Sequence, residues 1–370
     1  MANPAVFEQF VLVERTLSGR VTVTDPDVAS DPFDPIRSGG GVPVTGARVE
    51  VTDATGATAV AVESQTGTPL RGTGVYRFGN VAAGPNFPGG RAGVRVAPGA
   101  RLTLRVVTQE GTVVQGATTV PGGAGTPFAP PARTRNFLRD RDTLRLQWDP
   151  VPGARSYLVR VESPYGAFFL FTDSASATLT GELRNVFADR LPRVFQAGFT
   201  QWVNVAAVDT NFFDYYRSTN SPFTGSGLIN RLDGGIGVFG AYVPVQSIAL
   251  SVRATDRDPF DGRYVSAGPQ GPEALRLWVD ARANGLAEVT GAYRLPTAEQ
   301  YGVLGTLEGT RLRLRAVDAG DSRVADRVME GEVRGDTILV QLRGALLAGD
   351  DGRRRFVRDT TPIPGEQPPR

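Results

Sequence analysis

Gly235-Ile236-Gly237-Val238-Phe239-Gly240 spells G-x-G-x-x-G. Between a strand and a helix, that spacing lets the backbone wrap a pyrophosphate at the helix N-terminus. Here it follows a loop and runs into the strand-like VFGAYVPV. The stretch therefore reads as a glycine-rich bulge or a close approach of two backbones. Asp25, Asp27 and Asp31, with Asp34, cluster in TDPDVASDPFDP. Calcium needs several converging oxygens. This spacing is not an EF-hand and prolines stiffen it, so a weak calcium site stands against a solvated loop. Arg311, Arg313 and Arg315 alternate with Leu312 and Leu314, which puts a cationic stripe on one strand face. That stripe either grips acidic lipid or an acidic partner, or is solvated and locally ion-paired. Arg353, Arg354 and Arg355, with Arg358, offer similar charge to anionic headgroups near the end of the chain.

Apolar and aromatic residues give two further candidates. Phe212, Phe213, Tyr215 and Tyr216 crowd one short stretch. Exposed, they would make an interface hot spot; buried, they would plug the end of a domain, with Tyr216 expected to stay the most exposed. Phe7, Phe10 and Val11, with Val13, make an apolar arm over residues 1–16. The arm either packs on its own domain or docks on a partner.

Composition removes much of enzymology. The chain has no Cys, no His and no Lys; its 40 basic residues are all arginines, set against 38 acidic ones. Thiol nucleophiles, disulfides, His-ligated metals, Ser-His-Asp triads, Schiff-base lysines and the P-loop lysine are thereby excluded. Asp, Glu, Ser, Tyr and Arg chemistry is left, but no two carboxylates stand out as a hydrolytic pair. The expectation is a non-enzyme without a cofactor. A net charge of +2 argues against nucleic acid as a partner. No run of 18 apolar residues suggests a membrane-spanning helix. The first twenty residues lack the basic and apolar regions of a signal peptide.

The elements that must position these residues are strands. With 45 Gly and 27 Pro among 370 residues, the chain has the turn content of several small β-domains. Period-2 alternation recurs in GARVEVTD, ARLTLRVVT, EALRLWVDA and TRLRLRAVD. The clearest stretch is DTLRLQWDPVPGARSYLVRVE, residues 142–162. It reads as a hairpin through a Pro-Gly turn, with Trp148 facing the core. The domains expected are the arm 1–16, a sandwich over 17–121, a Gly/Pro linker over 122–135, a second sandwich over 136–256, a barrel over 257–352, and a basic Pro-rich tail over 353–370. A short helix is expected near 182–191.

Three resemblances sharpen this. SGRV, PVTGARVEV, G-x-Y-x-F and PGARLTLRV in residues 17–121 resemble the carboxypeptidase-regulatory-like, or transthyretin-like, sandwich. WDPVPGARSYLVRV resembles a fibronectin type III domain, and residues 257–352 loosely resemble lipocalin-like or avidin-like barrels. Asp214-Tyr215-Tyr216-Arg217 with Gly234–Gly240 resembles the late signature of uncharacterised Bacteroidota envelope lipoproteins, although the lipidated Cys is absent. Together they imply an all-β fold of two immunoglobulin-like or transthyretin-like sandwiches followed by a small antiparallel barrel. They also imply a periplasmic or outer-envelope scaffold that binds other proteins. The alternatives are an accessory subunit docked on an integral membrane complex, with an anionic lipid surface as a further contact, and a small-ligand binder using the barrel.

Overall fold

The computed structural model describes residues 5, 8–15, 42–63, 74–82, 93–127, 131–163, 166–183, 193–197, 200–219, 229–253, 259–268, 271–279, 286–296, 300–317, 328–343 and 351–360. The fold is all-β, in three units built as the alternation requires.

The first unit contains β1 (Glu8–Leu12), β2 (Glu14–Arg15), β3 (Val42–Pro43), β4 (Arg48–Asp53), β5 (Thr58–Glu63), β6 (Val75–Asn80), β7 (Gly93–Val94), β8 (Arg101–Val107) and β9 (Val113–Thr119). A curled sheet runs β1-β6-β5-β4-β8-β9, with β7 beside β6, and β2 pairs β3 separately. Val49, Val51, Leu102 and Leu104 fill its inner face, while Arg48 and Arg105 point out. The N-terminal arm is a strand of this sheet: β1 pairs antiparallel with β6, and Val11 and Val13 pack on the core.

The second unit holds β10 (Arg133–Leu138), β11 (Thr143–Gln147), β12 (Ser156–Ser163), β13 (Gly166–Thr172), β14 (Ser176–Thr180), β15 (Thr200–Val208), the helix α1 (Thr210–Thr219) and β16 (Tyr242–Arg253). One sheet runs β10-β16-β15-β12-β13; β11 pairs β14 in the other. The expected hairpin is therefore corrected. β11 and β12 do not pair; the Pro-Gly turn, with Gly153 at φ +71°, carries the chain from one sheet to the other. Leu144, Leu146 and Trp148 meet Tyr157, Val159 and Val161 across the core. The Trp148 and Tyr157 rings lie 5.2 Å apart, edge to face, and the Tyr157 hydroxyl accepts a bond from the Val151 amide. Two apolar faces that share one core give the same period-2 pattern as a hairpin. The linker is also shorter than expected, because Arg133–Arg135 belong to β10, parallel to β16. The helix expected near 182–191 falls mostly outside the described residues. The helix that is described, α1, covers the aromatic stretch instead.

The third unit is a closed up-and-down barrel of β17 (Gly262–Gly268), β18 (Gly271–Val279), β19 (Leu286–Arg294), β20 (Gln300–Glu308), β21 (Arg311–Val317), β22 (Val328–Arg334), β23 (Thr337–Arg343) and β24 (Arg353–Asp359). The supposed basic tail is corrected here: Arg353–Asp359 closes the barrel between β23 and β17. Leu275, Leu277, Val303, Leu312, Ile338 and Phe356 pack its inside. Outward positions of β21, β22 and β23 carry the paired charges Arg313, Glu330 and Arg343. Among the described residues no helix is long and apolar enough to cross a membrane.

Candidate functional site: the junction of the two sandwiches

The glycine-rich segment after α1 leaves the second unit and lies along the first. Its shape is set by Asn230. That side chain accepts from the Leu232 and Gly237 amides, both at 3.2 Å, and donates to the Leu232 and Gly235 carbonyls. Asp233 and Gln115 then exchange backbone hydrogen bonds of 2.8 and 2.9 Å, which extends the β9 edge by one bridge. Gly234 has φ +76°, and a Cβ there would sit 2.0 Å from the Val113 carbonyl oxygen. A Cβ at Gly116 on the opposing strand would meet Leu232 at 2.5 Å. Glycine is thus required at Gly234, while at Gly116 a larger side chain would force Leu232 to move. Phe239, Ala241 and Val243 follow, all buried in the core of the first unit. The G-x-G-x-x-G stretch is a strap between two sandwiches, with no helix after it to receive a phosphate.

Asp209 fixes the strap from the other side. It ends β15 and caps α1, its Oδ1 accepting from the Phe212 amide at 2.9 Å. The same oxygen accepts from the Ala241 amide at 3.1 Å, and Oδ2 takes the Thr118 hydroxyl proton from β9 at 2.5 Å. Asn211 adds bonds to the Ala117 and Phe239 carbonyls. Burial pushes the Asp209 carboxyl above its ordinary value, and the hydrogen bonds from Thr118, Phe212 and Ala241 only partly offset it. One carboxylate therefore ties a helix cap, β16 and the first unit together.

Two clefts flank the junction. One, about 250 Å³, is lined by Arg101, Thr118, Thr119, Gly153, Asp209 and Asn211. The other, about 480 Å³, runs between the outer face of the first sheet and the strap. Glu50, Thr52, Arg105 and Gln115 line one wall and Arg231 and Asp233 the other. Three of its charged side chains, Glu50, Arg105 and Arg231, are already paired. Glu50 lies 2.6 Å from Arg48 and 3.5 Å from Arg105, and the Arg48 bond leads in holding its carboxyl below the ordinary range. Arg231 reaches Asp214 on α1 at 2.5 Å. Charged and polar side chains thus line both walls of this groove.

The sequence-derived candidates are scattered. Arg311, Arg313 and Arg315 do share the outer face of β21, but glutamates flank them: Glu308 opposite Arg311 on β20, and Glu330 and Glu332 opposite Arg313 and Arg311 on β22. Arg313 pairs with Glu330 at 3.1 Å. Arg353 and Arg355 are exposed on β24, whereas Arg354 points inward and is buried. Tyr216 is half-buried, its ring 4.7 Å from that of Phe212, in a cluster with Leu158, Val208 and Phe213. Phe10 is half-buried beside Val11 in β1. Phe7, Asp25, Asp27 and Asp31 lie outside the described residues. Among the described residues no cluster of three acidic groups could hold a metal. The junction itself was signalled in the sequence only by its glycines; nothing local marks Asp209, Thr118 or Asn230 as the residues that complete it. No family model, curated protein or solved structure matches the chain.

Proposed function

We propose that the chain is a non-enzymatic β-scaffold of the bacterial envelope that works by binding other proteins. The observation that carries this reading is the strap: Phe239, Ala241 and Val243 of the second sandwich complete the core of the first. Two sandwiches fused in this way present one continuous surface with fixed spacing, as a scaffold needs, whereas tethered modules would not. The polar groove between Glu50 and Asp233 lies on that surface and spans both sandwiches. The absence of Cys, His and Lys from the sequence points the same way, since the commonest nucleophiles and bases are not available. The envelope placement rests on the resemblance of residues 214–217 and 234–240 to envelope lipoproteins.

The test is affinity isolation of the native protein in mild detergent, followed by mass spectrometry. The expected result is a partner at fixed stoichiometry, lost when Arg105 and Asp233 are both changed to Ala. Recovery of the protein alone from every cell fraction would overturn the proposal.

A further inference from the structure

The outer face of the five-stranded sheet is covered over only half its length. Phe212 and Phe213 of α1 pack on Leu158 and Val208 at one end. Six residues back along β15, about 20 Å away, Trp202 stands 42 % exposed in the middle of the sheet. Its neighbour Val203 is fully buried on the opposite face, so the indole is committed to the outside. In register beside it lie Ala249 on β16 and Glu162 on β12. The next row is Ser247, Asn204 and Arg160. These polar groups are ordered by one another. The Ser247 hydroxyl donates to Asn204 Oδ1 at 2.7 Å, Asn204 Nδ2 donates to Glu162 at 3.0 Å, and Glu162 also binds Arg160.

We infer that this face is a binding site for a neutral oligosaccharide, with Trp202 as the platform and the Asn204 row as the polar rim. A pyranose ring carries an apolar C–H face and an equatorial rim of hydroxyls. It needs a flat aromatic surface beside fixed planar donors and acceptors, and an amide, a carboxylate and a guanidinium supply these here. The row spans three strands, about 10 Å, enough for two sugar rings. The Arg160–Glu162 pair is electrically neutral, which suits an uncharged ligand over a phosphate or a nucleic acid. A protein hot spot would place its tryptophan among apolar neighbours with the polar groups at the margin; the row next to Trp202 is instead polar over Ser247, Asn204 and Arg160, and apolar only at its outer end, Phe169 on β13. The site is separate from the junction, so a failed partner isolation leaves it untouched.

Titration of the full chain with cellohexaose, xylohexaose and N-acetylchitohexaose, followed by calorimetry and tryptophan fluorescence, tests the site. Saturable binding to at least one is expected, with Kd on the order of 10⁻⁴ M. Trp202→Ala should weaken it by about tenfold or more, and Asn204→Ala by about threefold to tenfold, with near-ultraviolet circular dichroism of the Asn204 variant unchanged. Absence of saturable binding to all three sugars, or binding indifferent to Trp202→Ala, would overturn the inference. So would a protein partner captured through Trp202 when no sugar binds.

Discussion

Arg354 Nε lies 2.8 and 3.0 Å from the two carboxylate oxygens of Glu273, inside the barrel and across the width of β17. Both side chains are buried, and Tyr293 donates its hydroxyl proton to the same carboxylate at 2.7 Å. Burial first, then the hydrogen bond to Glu273 and that group's charge, hold the Tyr293 phenol far above its ordinary pKa, so it stays a donor. The position of the pair explains its worth. β24 meets β17 through only three residue pairs, whereas β17 meets β18 through seven. The closing seam is short in backbone bonds and side chains complete it. At its far end Arg358 donates to the Asp261 and Pro259 carbonyls and to the Tyr264 hydroxyl.

Removing one partner leaves the other charge buried and unpaired. Glu273→Ala should therefore destabilise the barrel by about 3–5 kcal/mol. The double change Glu273→Met with Arg354→Met should cost less than either single truncation, because no orphan charge remains. Urea unfolding of the four proteins measures both quantities. Hydrogen exchange at Val265 and Val357, paired across the seam, should rise in the single variants.

The strap makes a second, local prediction. Gly234→Ala asks a residue with a Cβ to hold φ +76° against the Val113 carbonyl. The strain alone should cost about 1–3 kcal/mol, and the loss should appear at the junction. Protection of the Gln115 amide, which donates to Asp233, should fall well before that of Leu104 in the core. Equal loss at both sites would mean that the strap and the first sheet unfold as one unit.

Two buried carboxylates should respond to acid in opposite senses. Asp209 in the folded state lies above its ordinary 3.8, because burial outweighs its hydrogen bonds. Between those two values the folded protein holds more protons than the unfolded chain, so stability falls as pH rises through that window and is level above it. For Asp53 burial is again the largest single influence and pushes upward. Bonds from Thr55, Arg95 and Ala57 together outweigh it, so the folded value lies below 3.8. Its contribution is present above 3.8 and is lost as pH falls through the folded value. As pH is lowered, the stability advantage of the native protein over Asp209→Asn should grow, and its advantage over Asp53→Asn should shrink. Unfolding midpoints of the three proteins across the acid range decide this.

Period-2 alternation reached the strands but not their partners. Leu144, Leu146 and Trp148 were readable as one buried face and Tyr157, Val159 and Val161 as another. The pattern has the same form whether the two strands pair or oppose each other, so the crossing at Gly153 was invisible. Arg353-Arg354-Arg355 has the charge of a solvated tail, which masks the alternation around it. Yet Arg354 and Phe356 keep the inward period of β24, and what makes an inward Arg354 tolerable is Glu273, 81 residues away in the sequence. The junction has the same limit. Its glycines advertise a close approach, but Thr118 and Asp209 are 91 residues apart and neither carries a local signal.

The arginine stripe on β21 gives the last prediction, which decides between an anionic surface and local ion pairing. Arg311 and Arg313 face Glu308, Glu330 and Glu332 on both neighbouring strands, and Arg343 also approaches Glu330, at 3.7 Å. Alternating signs at this spacing cancel within a Debye length of about 8 Å, so a flat anionic membrane sees little net charge there. Exposed pairs of this kind contribute about 0–1 kcal/mol each. Arg313→Ala should accordingly move the unfolding free energy by less than about 1 kcal/mol. Changing Arg311, Arg313 and Arg315 together to Gln should leave co-sedimentation with phosphatidylglycerol vesicles unaltered at physiological salt. Loss of vesicle binding in the triple variant, with the fold intact by circular dichroism, would restore the stripe as a membrane contact and would mean that Glu330 and Glu332 turn away from it at the lipid surface.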